Sequence, residues 1–313
     1  MKTPTSILAL GAALLLSIGH SGVQASTWPF EPGEMEVVGE IQHEYARRSD
    51  TLMDIARWLG MGYREIRRAN PDVDLWIPGE GTRVLIPSQF VLPEGPRQGL
   101  IVNRAEKRLY YFHADTDNGG PVVTTYPIGI GKAGRETPIG RATVTQRLEN
   151  PAWYPTEGVR ADYRSRGIDL PRMVPPGPDN PLGRYALILD MDGYLIHGTH
   201  RPDGVGMRVS QGCVRLYPEH IERLVFDVPI GTPVAMVDQP VKAGFRDGKL
   251  FLEIHPGHDD SVPEMAEVRE VVERAWQRNL ERLDGTVDWQ GVEEAWRNAD
   301  GVPRVITTRS GSS

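Results

Sequence analysis

The sequence predicts a mainly β body, preceded by a small βααβ unit and followed by an α+β tail. Three observations predict this. Thirty-four glycines and 26 prolines in 313 residues favour turn-rich β architecture over long helical bundles. Short apolar or alternating runs, bounded by turn residues, recur from Gln98 to Val237. Helical spacing is concentrated in 51–69 and after Ser261, apart from one segment at Tyr217–Val225.

The chain is 39% apolar and 25% charged, which is ordinary globular composition, and its length suits about two domains. The formal charge of −7 comes without a basic stripe, so a nucleic-acid-binding surface is not expected. Lys2 precedes an apolar run from Ile7 to Ile18, and Val23-Gln24-Ala25 forms an A-x-A-like cleavage site. Residues 1–25 therefore read as a signal peptide, with an uncleaved membrane anchor as the rival reading. No cysteine follows the site, so a lipoprotein anchor is not expected, and no later apolar run is long enough to span a membrane.

Residues 28–40 read as a linker. Ile41–Tyr45 suits a short strand. Asp50 can cap a helix over Thr51–Leu59, with Leu52, Ile55, Ala56 and Leu59 on one face. Gly60 and Gly62 stop it, and Tyr63–Ala69 repeats the pattern with Ile66 inward. Asn70-Pro71 breaks the chain, and Val84–Ile86 closes the unit as a strand.

From Gln98 the texture is that of strands. Gly99–Asn103 and Arg108–His113 flank a Glu106-Lys107 turn, and Pro121–Ile130 and Arg141–Gln146 follow. Asn150–Pro181 is long, irregular and rich in Pro and Arg, as in a lid or binding loop. Tyr185–Asp190 and Tyr194–His197 resume strands, Tyr217–Val225 reads as a helix, and Val234–Val237 is a last strand. In the tail, Phe245–His255 suits one hairpin around Asp247-Gly248, and Ser261-Val262-Pro263-Glu264 has a capping-box signature. The helix after it, with Met265, Val268, Val272 and Trp276 at helical spacing, is expected to pack on the central body. Trp289 and Trp296 are read as packing anchors. His255-Pro256-Gly257-His258-Asp259-Asp260 lacks the spacing of a metal site and reads as a polar turn.

Past the signal the chain holds one cysteine, Cys213, which can form no internal disulfide. A lone thiol in an oxidising compartment is a liability unless it is used. It lies in Ser210-Gln211-Gly212-Cys213-Val214-Arg215-Leu216, sixteen residues after His197 in Ile196-His197-Gly198-Thr199. A thiol is a poor nucleophile until deprotonated, its free pKa being about 8.5. A nearby imidazole can take the proton, and a thiolate–imidazolium pair with a depressed thiol pKa is the expectation. A turn before a helix would favour the thiolate through the helix dipole, and the Gly212 and Cys213 N–H groups could form an oxyanion hole. Gly212 leaves room for substrate. The Gly198 carbonyl can orient the imidazole. Arg215 is placed to meet a carboxylate bidentately, the alternative being a surface ion pair.

Two resemblances follow from these strings. D-T-L-x-D-I-A-x-x-x-G, Y-x-E-I-x-x-A-N-P and V-L-I-P, within 36–88, resemble a LysM module, a family that binds N-acetylglucosamine chains; the alternative is a cap that only packs on the next domain. H-G-T followed by S-x-G-C-V-R-L is similar to the motif of L,D-transpeptidases with a YkuD-type domain. Thr137-Pro138-Ile139-Gly140, Asn150-Pro151-Ala152-Trp153 and Pro176–Gly183 fit the same family. The resemblance places a YkuD-type β-sandwich or barrel at 98–238, with a short helix after the nucleophile, and leaves 239–313 as an α+β tail. It implies Cys213 as nucleophile and His197 as base, with Gly198, Ser210, Gly212 and Arg215 in support, and neither cofactor nor metal.

By that resemblance the enzyme is periplasmic, wall-associated and monomeric, and acts on peptidoglycan tetrapeptide stems. Cys213 attacks the diaminopimelate carbonyl, D-Ala leaves, and an amine resolves the thioester. The amine is a second stem's diaminopimelate or the C-terminal lysine of a lipoprotein; with water the enzyme would be a carboxypeptidase. A non-catalytic wall-binding protein is the rival of a different class. Many family members carry His where Gln211 stands here, which leaves the function of position 211 open. His200 is expected to be an exposed bystander.

Overall fold

The computed structural model describes residues 25–115 and 119–308. Except for Ala25, the expected signal peptide lies outside the described residues. Among those residues no helix is long and apolar enough to cross a membrane.

The chain is mainly β. Nine strands form one curled sheet in the order Ser26–Pro29, Pro121–Pro127, Arg108–Ala114, Gly99–Asn103, Pro233–Val237, Gly140–Glu149, Tyr185–Leu189, Leu195–His197, Val214–Arg215. Gly99–Asn103 pairs parallel with Pro233–Val237, and Leu195–His197 parallel with Val214–Arg215. The other neighbours are antiparallel.

The central hairpin reads as continuous apolar runs because both of its faces are buried. Leu100, Val102, Leu109 and Tyr111 face one core, which the helix Pro218–Asp227 completes with Ile221, Leu224 and Val225. Ile101, Tyr110 and Phe112 alternate to the opposite face, as the two-residue period of a strand requires. There they meet Leu52, Ile55, Ile66, Val84 and Ile86 of the βααβ unit, which consists of Gln42–Tyr45, Leu52–Trp58, Tyr63–Ala69 and Arg83–Ile86. A buried bidentate ion pair crosses the same junction, with Arg108 Nε 2.7 Å and Nη2 2.8 Å from the two oxygens of Glu65.

Four local expectations are corrected. Residues 28–40 are not a linker: Ser26–Pro29 extends the large sheet beside Pro121–Pro127, and Val37–Gly39 pairs with Gln89–Val91. Thr51, not Asp50, caps the first helix, its Oγ1 accepting from Asp54 N in a capping box, while Asp50 accepts from Arg47 N. The helix Met265–Arg278 builds a core of its own rather than packing on the central body. Val268, Val272 and Ala275 pack on the hairpin Val241–Arg246/Lys249–Ile254 with Val292, Ala295 and Ile306. Its cap is Glu264, without a capping box. Trp289 and Trp296 pack against that core, and Trp296 Nε1 donates to Pro263 O at 2.8 Å.

Candidate active site

The parallel pairing of Leu195–His197 with Val214–Arg215 sets His197 directly beside Arg215 and Ile196 beside Val214. Side chains alternate along a strand. His197 and Arg215 therefore project from one face, and Cys213, two residues before Arg215, projects with them. Ile196 and Val214 go to the core behind. Leu195, His197, Cys213 and Arg215 all line one cavity of about 280 Å³, closed by Trp153, Tyr154 and Leu182.

The turn before Cys213 is tightly held. Ser210 Oγ donates to Cys213 O at 2.6 Å and accepts from Gly212 N at 3.1 Å. Thr137 Oγ1 donates to Gly212 O at 2.7 Å and accepts from Gly131 N at 3.1 Å. Gly212 sits at φ +113°, and a Cβ there would lie 2.9 Å from Tyr194 Cε1, so only glycine fits. This geometry alters the oxyanion-hole expectation. The Gly212 N–H is engaged by Ser210, which leaves the Cys213 N–H as the backbone donor of that pair. The helix-dipole expectation also fails: Cys213 leads into a strand, and the helix begins only at Pro218.

His197 is 3% exposed, and its Nδ1 lies 2.6 Å from Gly198 O. A carbonyl can only accept, so Nδ1 carries the proton and Nε2 is the basic nitrogen. Burial, then the charge of Arg215, lowers the His197 pKa to about 3. Burial also pushes the Cys213 thiol above its ordinary value, against smaller opposing effects of the Leu195 N–H and Arg215. The thiol donates weakly to Gly193 O at 3.5 Å. Both shifts run against the expected ion pair, because burial penalises the thiolate and the imidazolium alike.

Arg215 has no anionic partner among the described residues, and its Nε is buried without a hydrogen bond. A cation without an anionic partner among the described residues therefore stands beside the thiol. His200 is exposed and does not line the cavity.

The long loop folds over this cavity as a lid. Asn180, 1% exposed, fastens its base: Nδ2 donates to Pro151 O at 2.9 Å and Pro175 O at 3.1 Å, and Oδ1 accepts from Leu182 N at 2.9 Å. Trp153 and Val174 exchange backbone hydrogen bonds at 2.9 Å. A helix not foreseen from sequence, Glu157–Arg164, carries Asp162, which accepts from Lys132 Nζ at 2.8 Å and from Gln211 Nε2 at 3.0 Å.

Residues 97–236 match the YkuD family, described as the L,D-transpeptidase catalytic domain. The probable L,D-transpeptidase ErfK/SrfK of Escherichia coli is 42% identical over 77% of this chain and 77% of its own length. The chain belongs to the L,D-transpeptidase family. The probable L,D-transpeptidase YbiS of Escherichia coli is 38% identical to this transpeptidase and covers 94% of it, with 96% of its own length matched. The probable L,D-transpeptidase YcfS, also of Escherichia coli, is 40% identical over 74% of this chain and 73% of its own.

Sequence reasoning missed the supporting function of Thr137, although its motif was visible, and missed Asp162, which carries no local signal. Elsewhere in the transpeptidase, Glu106, Glu253 and His255 bring three potential ligand atoms within 4.8 Å of one another. The Lys242 ammonium stands among them, 2.7 Å from Glu106 and 2.9 Å from Glu253, and does the work a cation would do there. A larger groove of about 960 Å³ lies at the far end of the sheet. Its one histidine, His113, is hydrogen-bonded to Ala114 O and Thr124 Oγ1, and its lining carries no cysteine.

Proposed function

We propose that the chain is a cysteine-dependent L,D-transpeptidase of peptidoglycan tetrapeptide stems, exported to the periplasm. The observation that carries this is the placement of Cys213, His197 and Arg215 on one sheet face lining one cavity. Cys213 Sγ bonds to the diaminopimelate carbonyl carbon while its proton passes to His197 Nε2. The C–N bond to D-Ala then breaks, and the same proton goes to the departing amine. An amine acceptor attacks the thioester and gives up its proton through His197, restoring the thiol. The Gly198 carbonyl orients the ring, the Ser210 and Gly212 turn holds the nucleophile, and Arg215 receives a substrate carboxylate. The unbonded Arg215 Nε, in a guanidinium that lines the cavity, supports the last assignment. The βααβ unit acts as a LysM-type glycan-binding head, supported by its D-T-L and A-N-P strings, with Asn70 of the latter holding Leu85 N and O at 2.7 and 2.8 Å.

Cys213→Ala should abolish transfer while leaving peptidoglycan binding intact, and continued crosslinking by that variant would overturn the cysteine mechanism. Muropeptide analysis of a deletion strain separates the acceptors. Loss of 3→3 crosslinks points to a stem amine, and loss of lipoprotein-bound stems to a lipoprotein lysine. An increase in uncleaved tetrapeptides alone points to water.

A further inference from the structure

Gln211 stands two residues before the nucleophile and lines its cavity. Its amide orientation is dictated by chemistry rather than by density of contacts. Asp162 is an acceptor-only carboxylate, so the Gln211 group 3.0 Å from Asp162 Oδ2 must be the NH₂ end. Asp162 is itself fixed by Lys132 at 2.8 Å and Arg166 at 2.9 Å. The carbonyl end therefore turns the other way. There Gln211 Oε1 is buried and meets no donor among the described residues. A buried amide oxygen without a partner costs about 1–3 kcal/mol, so such groups in native proteins are nearly always satisfied. The Gly212 N–H is engaged by Ser210 Oγ, and the Lys132 N–H by Ser210 O at 3.0 Å.

We infer that Gln211 Oε1 is a substrate-binding acceptor that takes the backbone N–H of the residue whose carbonyl Cys213 attacks. The inference rests on the transpeptidase reading proposed above. Three N–H sources lie close to the attacked carbonyl of a stem: that backbone amide, the side-chain ammonium of diaminopimelate, and the scissile D-Ala amide, whose nitrogen must face His197 Nε2 to take the proton as it leaves. The one carboxylate beside Gln211, Asp162, is already paired with Lys132 and Arg166, so no unpaired anion meets an ammonium there and the neutral amide is favoured. The lid helix thus positions a substrate contact through Asp162 as well as covering the cavity.

The test compares three stem tetrapeptides in wild type and Gln211→Met. One is the natural stem, one carries an ester oxygen in place of that backbone N–H, and one lacks the side-chain amine. In the wild-type enzyme the ester should lower kcat/KM about tenfold, the scale of one hydrogen bond in a closed site. In Gln211→Met the natural stem should lose about the same factor, mostly in KM, and the ester should cost nothing more. A purely structural function of Gln211 would lower both substrates equally and overturn the inference. Should the coupling appear with the deaminated stem instead, the amide assignment is overturned. If Gln211→Met does not fold, Gln211→Asn, which withdraws the carbonyl by one methylene, reads the same ratio. Wild-type enzyme inactive on every stem would sink the transpeptidase reading itself, whereas wild-type turnover without coupling sinks only the Gln211 contact.

Discussion

Arg108 and Glu65 are joined by two hydrogen bonds of 2.7 and 2.8 Å, with side chains 1% and 7% exposed, across the junction between the sheet and the βααβ unit. Arg108 also donates to Thr125 Oγ1 and Gly60 O, and its guanidinium stacks 4.2 Å from the Phe90 ring centre. Removing one partner leaves a buried, uncompensated charge. Glu65→Ala should cost about 3–5 kcal/mol in chemical denaturation. The double change Glu65→Leu/Arg108→Met should recover much of that loss, and a loss that simply adds would contradict the coupling.

The direction of the Cys213 shift predicts how the thiol responds to pH. Alkylation of Cys213 by a small reagent should rise with a midpoint above that of an ordinary thiol, because burial disfavours the thiolate. A midpoint below about 8.5 would restore the ion-pair picture.

His197 keeps its neutral form until pH falls to about 3, so the acid limb of kcat/KM should not lie near the ordinary histidine range. The sign for stability follows from its depressed pKa. Between about pH 6.5 and 3 the unfolded chain binds a proton at this position that the folded chain refuses. Stability should therefore fall with acid through that window, and His197→Gln should flatten part of the slope.

Gly212→Ala places a methyl group 2.9 Å from Tyr194 Cε1 in a backbone conformation that L-residues avoid. The expected result is at least a tenfold fall in acylation of Cys213 together with a lowered melting temperature, the strained turn costing about 1–3 kcal/mol. Intact-mass detection of a carbapenem adduct over time measures it. A rate equal to wild type would mean that the turn adapts.

In the C-terminal junction, burial alone would raise Glu253, but Lys242 and His255 overcome it and hold Glu253 at about 2. Its contribution is present above its ordinary value near 4.5 and is lost as pH falls toward about 2. Lys242→Met should abolish that dependence and destabilise the protein by about 3–5 kcal/mol, checked by denaturant midpoints across pH.

Much of the site lay open in the sequence because its parts are local. The His197 ring and the Gly198 carbonyl are one residue apart, and Ser210 closes its turn within three residues. Strand and helix positions in 41–86 were readable for the same reason. What stayed hidden depends on distant partners. Nothing near Trp28 announces pairing with Val123, so an edge strand looked like a linker. Asp162 reaches Gln211 across 49 positions of chain. The thiol's raised pKa comes from burial in the folded chain, and burial by distant residues has no sequence pattern. The tail helix misled because its apolar stripe fits any partner, and the partner is its own hairpin.

The hairpin strands with two buried faces have a mechanical consequence. Ile101, Tyr110 and Phe112 belong to the βααβ core and Leu100, Leu109 and Tyr111 to the catalytic core, on the same few strands. A tethered head would search a volume set by its linker. Here the βααβ unit and the catalytic core are packed on opposite faces of the same strands, so the placement of one relative to the other is set by the sheet between them and not by a linker.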